Sequence, residues 1–271
     1  MNALQRLQQT YPKREARAIY ELVMERRFGL SRTDVLMGKD TTLSANDKAE
    51  LQNIIGRLQK NEPVQYVLGT EMFCGHEFRV TGSVLIPRPE TQLLVELAVR
   101  TMPRGSSILD VGTGSGCIAI SLALAGFRAT AFDVSREALD VASENAHRLK
   151  ADVQFVRNDI LHPATTDEMW DAVISNPPYI CQREAKTLEE NVLRYEPHLA
   201  LFVPDEDPLL FYRAIAVYGL KHIYSGGCIF FEVNRLYSQE VKSMLIDLGY
   251  DEVEVMNDQF DNERIVYARR R

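Results

Sequence analysis

The first 60 residues place apolar side chains at helical spacing. Ile19, Leu22 and Val23 fall on one face, and the pattern ends at Phe28-Gly29, a glycine stop for a helix. Ser31 with Asp34 predicts the N-cap of a short helix ending near Gly38, and Ser44 with Asp47 predicts another. That third helix sets Leu51, Ile54, Ile55 and Leu58 on one face ahead of Pro63. Three short helices bury little apolar surface, so this stretch is expected to lean on a second domain or on a substrate. Residues 72–80 are strand-like around Gly75 and predict a β-hairpin.

Beyond residue 91 the period changes. Thr91 is placed to cap a helix carrying Leu93, Leu94, Leu97 and Ala98. Short apolar runs at 107–111, 128–134, 153–157, 171–175 and 228–233 predict strands, with helical patterns at 118–125, 136–149, 209–222 and 238–248. Strands alternating with helices mean βαβ units and a parallel, doubly wound sheet. The runs at 253–256 and 264–268 are joined too closely for a crossover helix, so the last strand is expected to run antiparallel. The expected organisation is a helical domain over 1–75, a hairpin linker over 70–90 and an α/β domain over 91–271.

Composition narrows the class. Apolar residues at 45% and charged residues at 25% describe a globular chain. No apolar run reaches the length of a membrane span, and residues 1–11 lack the apolar core of a secretory leader. Cys74, Cys117, Cys181 and Cys228 are far apart with no C-x-x-C pair. His76, His147, His162, His198 and His222 show no ligand spacing, so no metal site is expected. Free thiols fit the cytoplasm. The net charge of −7 divides unevenly, +2 over residues 1–75 and −9 over the rest. An acidic catalytic domain is a poor partner for a phosphate backbone, which disfavours nucleic acid. The three arginines at 269–271 read as a solvated tail.

Two runs carry chemistry. The first, Asp110-Val111-Gly112-Thr113-Gly114-Ser115-Gly116, joins a predicted strand to a predicted helix. Glycines there permit a tight turn and a close ligand approach. The G-x-G-x-G spacing differs from the G-x-G-x-x-G of dinucleotide folds, and no proton donor accompanies it, so a nicotinamide dehydrogenase is set aside. Asp133 closes the next strand, placed to accept from both hydroxyls of a ribose. Asp159 and Ile160 follow the third strand, where they could meet an adenine amino group and ring. Taken alone, the loop is also compatible with a structural turn, and Asp159 with a turn residue.

The second run is Asn176-Pro177-Pro178-Tyr179, at the end of the fourth strand. Neither proline can donate, and the residue before each is held extended, so the corner presents acceptors. The Asn176 side-chain oxygen and the Pro177 carbonyl can take both hydrogens of a planar –NH₂ group, with Tyr179 as an aromatic face. A conjugated nitrogen is a weak nucleophile, and convergent acceptors with an enforced line to an activated methyl are what its alkylation needs. A proline-rich loop with no such role is the alternative. Together the two runs indicate an S-adenosylmethionine-dependent amino methyltransferase.

On these residues the chain resembles the HemK/PrmC family of release factor glutamine methyltransferases. The resemblance extends to 63–69 (PVQYVLG), the hairpin, 86–91 (IPRPET), 195–197 (YEP) with Ala200-Leu201, and 261–264 (DNER). It implies a class I methyltransferase domain behind a small helical domain, acting on the glutamine of a Gly-Gly-Gln loop in peptide-chain release factors. It further implies that Gly112 to Gly116, Asp133 and Ile160 bind the cofactor, and that Asn176 to Tyr179 hold the glutamine amide. Arg88 and Glu90 are candidates for lining the substrate side. Two positions depart from the family pattern: Gln92 where an acid is usual, and Val233-Asn234 where an Ile-Gly-like pair is expected. The competing readings are a DNA or RNA exocyclic-amine methyltransferase and a non-catalytic binding module.

Overall fold

The computed structural model describes residues 2–271. It divides into two compact units, one running up to Thr70 and taking in Glu189–Tyr195, the other comprising Glu71–Leu188 and Glu196–Arg271. Residues 189–195 were expected to stay with the α/β domain; by contacts they group with the helices.

The helical unit contains α1 (Ala3–Leu7), α2 (Lys13–Phe28), α3 (Arg32–Leu36), α4 (Ala45–Leu58) and α5 (Val64–Leu68). Its boundaries follow the capping chemistry. The Ser31 hydroxyl accepts the Asp34 N–H, and the Ser44 hydroxyl accepts that of Asp47. Gly29 ends α2 at φ +66. The expectation of a meagre core is corrected here. α1 and α5, which the apolar period did not reveal, bring Leu7 and Val67 to a buried cluster with Val23, Met24, Ile55 and Leu58. Helices of five residues are too short to show a period; their local marks were the Asn2–Gln5 capping box of α1 and, at α5, Pro63 before it and Gly69 after it.

A hairpin follows, β1 (Thr70–Phe73) and β2 (His76–Arg79), whose two-residue turn holds Cys74 and Gly75 both at positive φ. There follow α6 (Pro89–Thr101), β3 (Ser107–Val111), α7 (Cys117–Leu124), β4 (Arg128–Asp133), α8 (Arg136–Leu149), β5 (Val153–Arg157) and β6 (Trp170–Ser175). Next come β7 (Ile180–Cys181), then α9 (Glu190–Tyr195) of the first unit, and β8 (Phe202–Val203), which pairs with β7. The chain finishes with α10 (Leu210–His222), β9 (Ile223–Glu232), α11 (Ser238–Asp247), β10 (Tyr250–Asn257) and β11 (Glu263–Arg270). Among the described residues no helix is long and apolar enough to cross a membrane.

Seven strands form the main sheet in the order β10-β11-β9-β6-β3-β4-β5. All neighbours from β9 to β5 are parallel, and β11 is antiparallel to both of its neighbours, as expected. Alternate residues serve opposite cores. Ile108, Ala172, Ile174 and Phe230 join Leu94 of α6 and Ile118 of α7 on one face. Leu109, Val173, Ile229 and Phe231 join Ile215 of α10 and Leu245 of α11 on the other.

One helix start differs from the expectation. Thr91 does not cap α6, which begins two residues earlier at Pro89 with no side-chain cap. Proline lacks the N–H that a cap would satisfy and its fixed φ suits the first turn, so the helix starts there and leaves the Thr91 hydroxyl free for another partner.

β9 also begins earlier than its apolar run. Trp170 pairs with Ile223 and Ala172 with Cys228, so four residues of β9 face one of β6. Gly227 lies in this bulge, where an added Cβ would sit 2.5 Å from the Asp171 carbonyl oxygen and 2.6 Å from Ile223 Cγ2. Backbone cannot yield as a side-chain tip can. Gly227→Ala should therefore cost about 2–3 kcal/mol of unfolding free energy. A denaturant midpoint equal to wild type would contradict this packing.

Candidate active site

The strand order reverses between β3 and β6, so the loops after them leave in opposite directions and open a crevice at the carboxyl edge. A cavity of about 160 Å³ lies there. The glycine turn and the strand ends form one wall, through Gly112, Gly114, Asp133, Asn158, Asp159 and Ile160. Asn176, Pro177 and Pro178 form another.

Local hydrogen bonds fix the glycine turn. The N–H groups of Gly112 and Thr113 both donate to the Phe132 carbonyl, at 2.9 and 3.0 Å, and that of Gly116 donates to Thr113. The Gly114 N–H donates to Asp133 Oδ2 at 2.9 Å. These amides are spent inside the protein, unlike those of a loop that cradles phosphate. Gly112 and Gly114 have φ of +76° and +55°, and a Cβ built on either meets nothing within 4 Å, so both border open space. Gly116 differs. Its Cβ would lie 2.8 Å from Ile120 Cδ1 and 3.0 Å from Ala142 Cβ, so it is a packing glycine between α7 and α8.

Asp110 and Thr113 hold the turn from below. The Thr113 hydroxyl donates to Asp110 Oδ2 at 2.6 Å, and the Ala119 N–H donates to the same oxygen at 3.3 Å. Burial pushes the Asp110 carboxyl up to about 7. Thr113, Ser115 and Gly116, expected at the cofactor, thus shape the turn and do not line the cavity. Asp133 does line it, accepting from Gly114 and, through Oδ1, from the Ser135 N–H at 2.9 Å. Burial raises its pKa, against the pull of those N–H groups. Asp159 is tied to His162 (3.1 Å) and to the Leu161 N–H, and the His162 bond lowers its pKa.

The second wall also departs in part from expectation. Tyr179 does not line the cavity. Its ring packs on the sheet core, and its hydroxyl donates to Glu232 Oε1 at 3.2 Å. Arg88 pairs with the buried Glu196, whose other oxygen takes the Ile86 N–H at 3.3 Å, so Arg88 braces the 86–91 segment. Glu90 sits in the first turn of α6, outside the cavity lining. Gln92 borders a shallow groove with Cys74 and His76, and Val233 is buried. Asn234 fastens the loop beyond the tetrad by donating to the Tyr179 carbonyl and to Glu184, both at 3.3 Å.

Sequence reading missed five parts of the lining: Ser83 to Leu85, Pro197 with Leu199 and Ala200, Val134 with Ser135 and Ala138, Asn158, and Phe211 with Ile215. The first two flank motifs that were noticed, and their apolar character was the available signal. The last pair belongs to α10, whose approach to the cavity follows only from the fold.

The comparisons bear on this geometry. A family model described as "Methyltransferase small domain" matches residues 89–197, and one described as "PrmC N-terminal domain" matches 1–69. A "Release factor glutamine methyltransferase" of Bacteroides thetaiotaomicron is 47% identical over 98% of this chain and 97% of its own length. A Flavobacterium psychrophilum protein of the same name is 36% identical over 97% and 95%. Among solved structures, a methyltransferase from Pyrococcus furiosus superposes with a TM-score of 0.55 at 16% identity, covering 83% of this chain and 98% of that one. A 16S rRNA N2 G1207 methyltransferase from T. thermophilus, in complex with AdoMet and guanosine, gives 0.55 at 18% identity, covering 74% and 50%. At such identities the two structures show a shared fold.

The raised carboxyl of Asp110 has a measurable consequence. In the unfolded chain it releases its proton near pH 3.9. The folded protein keeps that proton up to about pH 7. Within that window the folded state binds more protons, so stability falls as pH rises and levels off above it. Denaturant midpoints at about pH 5 and about pH 8 should therefore differ more for wild type than for Asp110→Asn. An identical pH dependence in the two proteins would contradict the assignment.

Proposed function

Since the chain belongs to the release factor glutamine methyltransferase family, we propose that its cavity is where a methyl group passes from S-adenosylmethionine to the side-chain amide nitrogen of a release factor glutamine. The glutamine is that of the Gly-Gly-Gln loop, and S-adenosylhomocysteine is the other product. One observation carries the reading: a single cavity joins the glycine turn and Asp133 to Asn176, Pro177 and Pro178.

The residues suit the cofactor. Open space beside Gly112 and Gly114 admits a ligand against the backbone. The turn's inward-directed amides fit a ligand without phosphate. Asp133 keeps lone pairs for ribose hydroxyls, and Ile160 offers an apolar surface to a base. Bound there, S-adenosylmethionine supplies a methyl group activated by its sulfonium.

The chain's own part is positioning. Asn176 Oδ1 and the Pro177 carbonyl accept the two amide hydrogens, which orients the nitrogen and offsets the charge it gains as the new bond forms. Among the described residues lining the cavity the only carboxylates are Asp133 and Asp159, both on the cofactor side. The tetrad therefore works through acceptors and not through a general base, and the displaced proton leaves to water. Tyr179 supports this corner from behind, through Glu232.

The helical unit is proposed to dock the release factor. A glutamine side chain offers few atoms, so discrimination needs remote contacts. The +2 charge of residues 1–75 and the exposure of Leu36 (65%) and Met37 (63%) support that role.

Three outcomes are expected. Asn176→Ala should lower methyl transfer by about 10²–10³ with cofactor affinity retained, the loss of one preorganised contact. Asp133→Ala should instead weaken S-adenosylmethionine by about 1.5–3 kcal/mol in calorimetry, and unchanged affinity would remove the ribose role. Leu36→Asp with Met37→Asp should raise KM for an intact release factor while leaving that for a short Gly-Gly-Gln peptide alone. Equal KM changes would end the docking idea.

A further inference from the structure

Behind the tetrad runs a buried chain of hydrogen bonds that neither sequence motif accounts for. Thr91 is 2% exposed, and its Oγ1 donates to Glu232 Oε2 at 2.6 Å. Asn176 Nδ2 donates to that same Thr91 Oγ1 at 3.2 Å. The Tyr179 hydroxyl donates to the other carboxylate oxygen, Glu232 Oε1. Glu232, 1% exposed, ends β9; Thr91 lies in the first turn of α6; Asn176 follows β6.

The chain has a direction. A carboxylate only accepts, so both of its hydroxyl neighbours must donate to it. Thr91 has one hydroxyl hydrogen and gives it to Glu232. Toward Asn176 the threonine oxygen can then act only as an acceptor. The amide must turn Nδ2 to Thr91, which leaves Oδ1 without a donor among the described residues. The opposite amide orientation would set the Asn176 oxygen against the oxygen of the buried Thr91, two acceptors facing each other.

We propose that Thr91 and Glu232 are positioning residues that fix which way the Asn176 amide faces, so that its oxygen rather than its NH₂ meets the substrate nitrogen. This rests on the reading of Asn176 as the acceptor for the glutamine amide. A flipped Asn176 would present two donors to a group that is itself a donor, and the glutamine would be repelled where it must be held. The start of α6 at Pro89 sets this up, because it places the Thr91 hydroxyl two residues inside the helix, against Glu232 at the end of β9. The identity of residue 91 matters through its hydroxyl. Serine can replace it; valine, of nearly the same shape, cannot.

The test is a double-mutant cycle on the full-length enzyme, with release factor as substrate and saturating S-adenosylmethionine. Thr91→Val should lower kcat by about 10- to 100-fold, with cofactor Kd within about twofold of wild type and Thr91→Ser close to wild type. In an Asn176→Ala background, Thr91→Val should change kcat less than about twofold, because the group it orients is gone. Glu232→Gln, which replaces one acceptor by a donor, should follow the same pattern and serves where Thr91→Val does not fold. The same fold-loss in both backgrounds, or a Thr91→Ser enzyme as poor as Thr91→Val, would overturn the proposal. If Asn176→Ala alone leaves kcat intact, the substrate-holding reading fails and this proposal fails with it. A loss at Asn176 without coupling to Thr91 defeats only the proposal.

Discussion

The junction of β3 and β6 is the constraint on which the remaining structure depends. These two strands are parallel neighbours at the point where the sheet's order reverses. The Ser175 hydroxyl locks their ends by donating to the Val111 carbonyl at 2.6 Å in a buried site. The next residue on one side is Gly112 and on the other Asn176. A single fastened strand pair thus sets the spacing between the glycine turn and the Asn176 corner, the two walls of the cavity. Both faces of the sheet are packed with aliphatic and aromatic side chains, so the junction has little freedom to shift.

Three acids near strand ends divide the electrostatic labour. Asp110 of β3 is buried beneath the glycine turn and gives that turn its shape. Asp133 of β4 reaches the cavity and keeps accepting capacity for a ligand. Glu232 of β9 is buried behind the tetrad and receives Thr91 and Tyr179. Burial raises the pKa of all three, a cost that a sheet edge built only for stability would avoid. Their placement reflects the site they surround.

Much of this was legible in the chain. The strand–helix alternation, the Ser31 and Ser44 caps, the Gly29 stop and the antiparallel last strand all follow from local chemistry, and the glycine turn and tetrad announced their corners. What failed to show depends on contacts between distant residues. The threonine of the 86–91 run read as a helix cap because the role of Pro89 and the partner 141 residues away lay outside any local window. Tyr179 read as a platform for the substrate because its partner, Glu232, lies at the end of β9, 53 residues on. Arg88 and Glu90 read as lining because they adjoin a motif, whereas Arg88 is held by Glu196. Asn234 departs from the family pattern yet ties the loop beyond the tetrad, so the change has a local structural role.

The account turns on one cavity that brings a methyl donor to a protein amide. Its most direct test incubates the enzyme with methyl-labelled S-adenosylmethionine and, in parallel, an intact release factor, bulk tRNA and duplex DNA. Fragmentation mass spectrometry then locates any label. The expected result is label on the glutamine of the Gly-Gly-Gln loop alone, abolished when that glutamine is replaced by alanine. Label on tRNA or DNA, or on another residue of the release factor, would contradict the account.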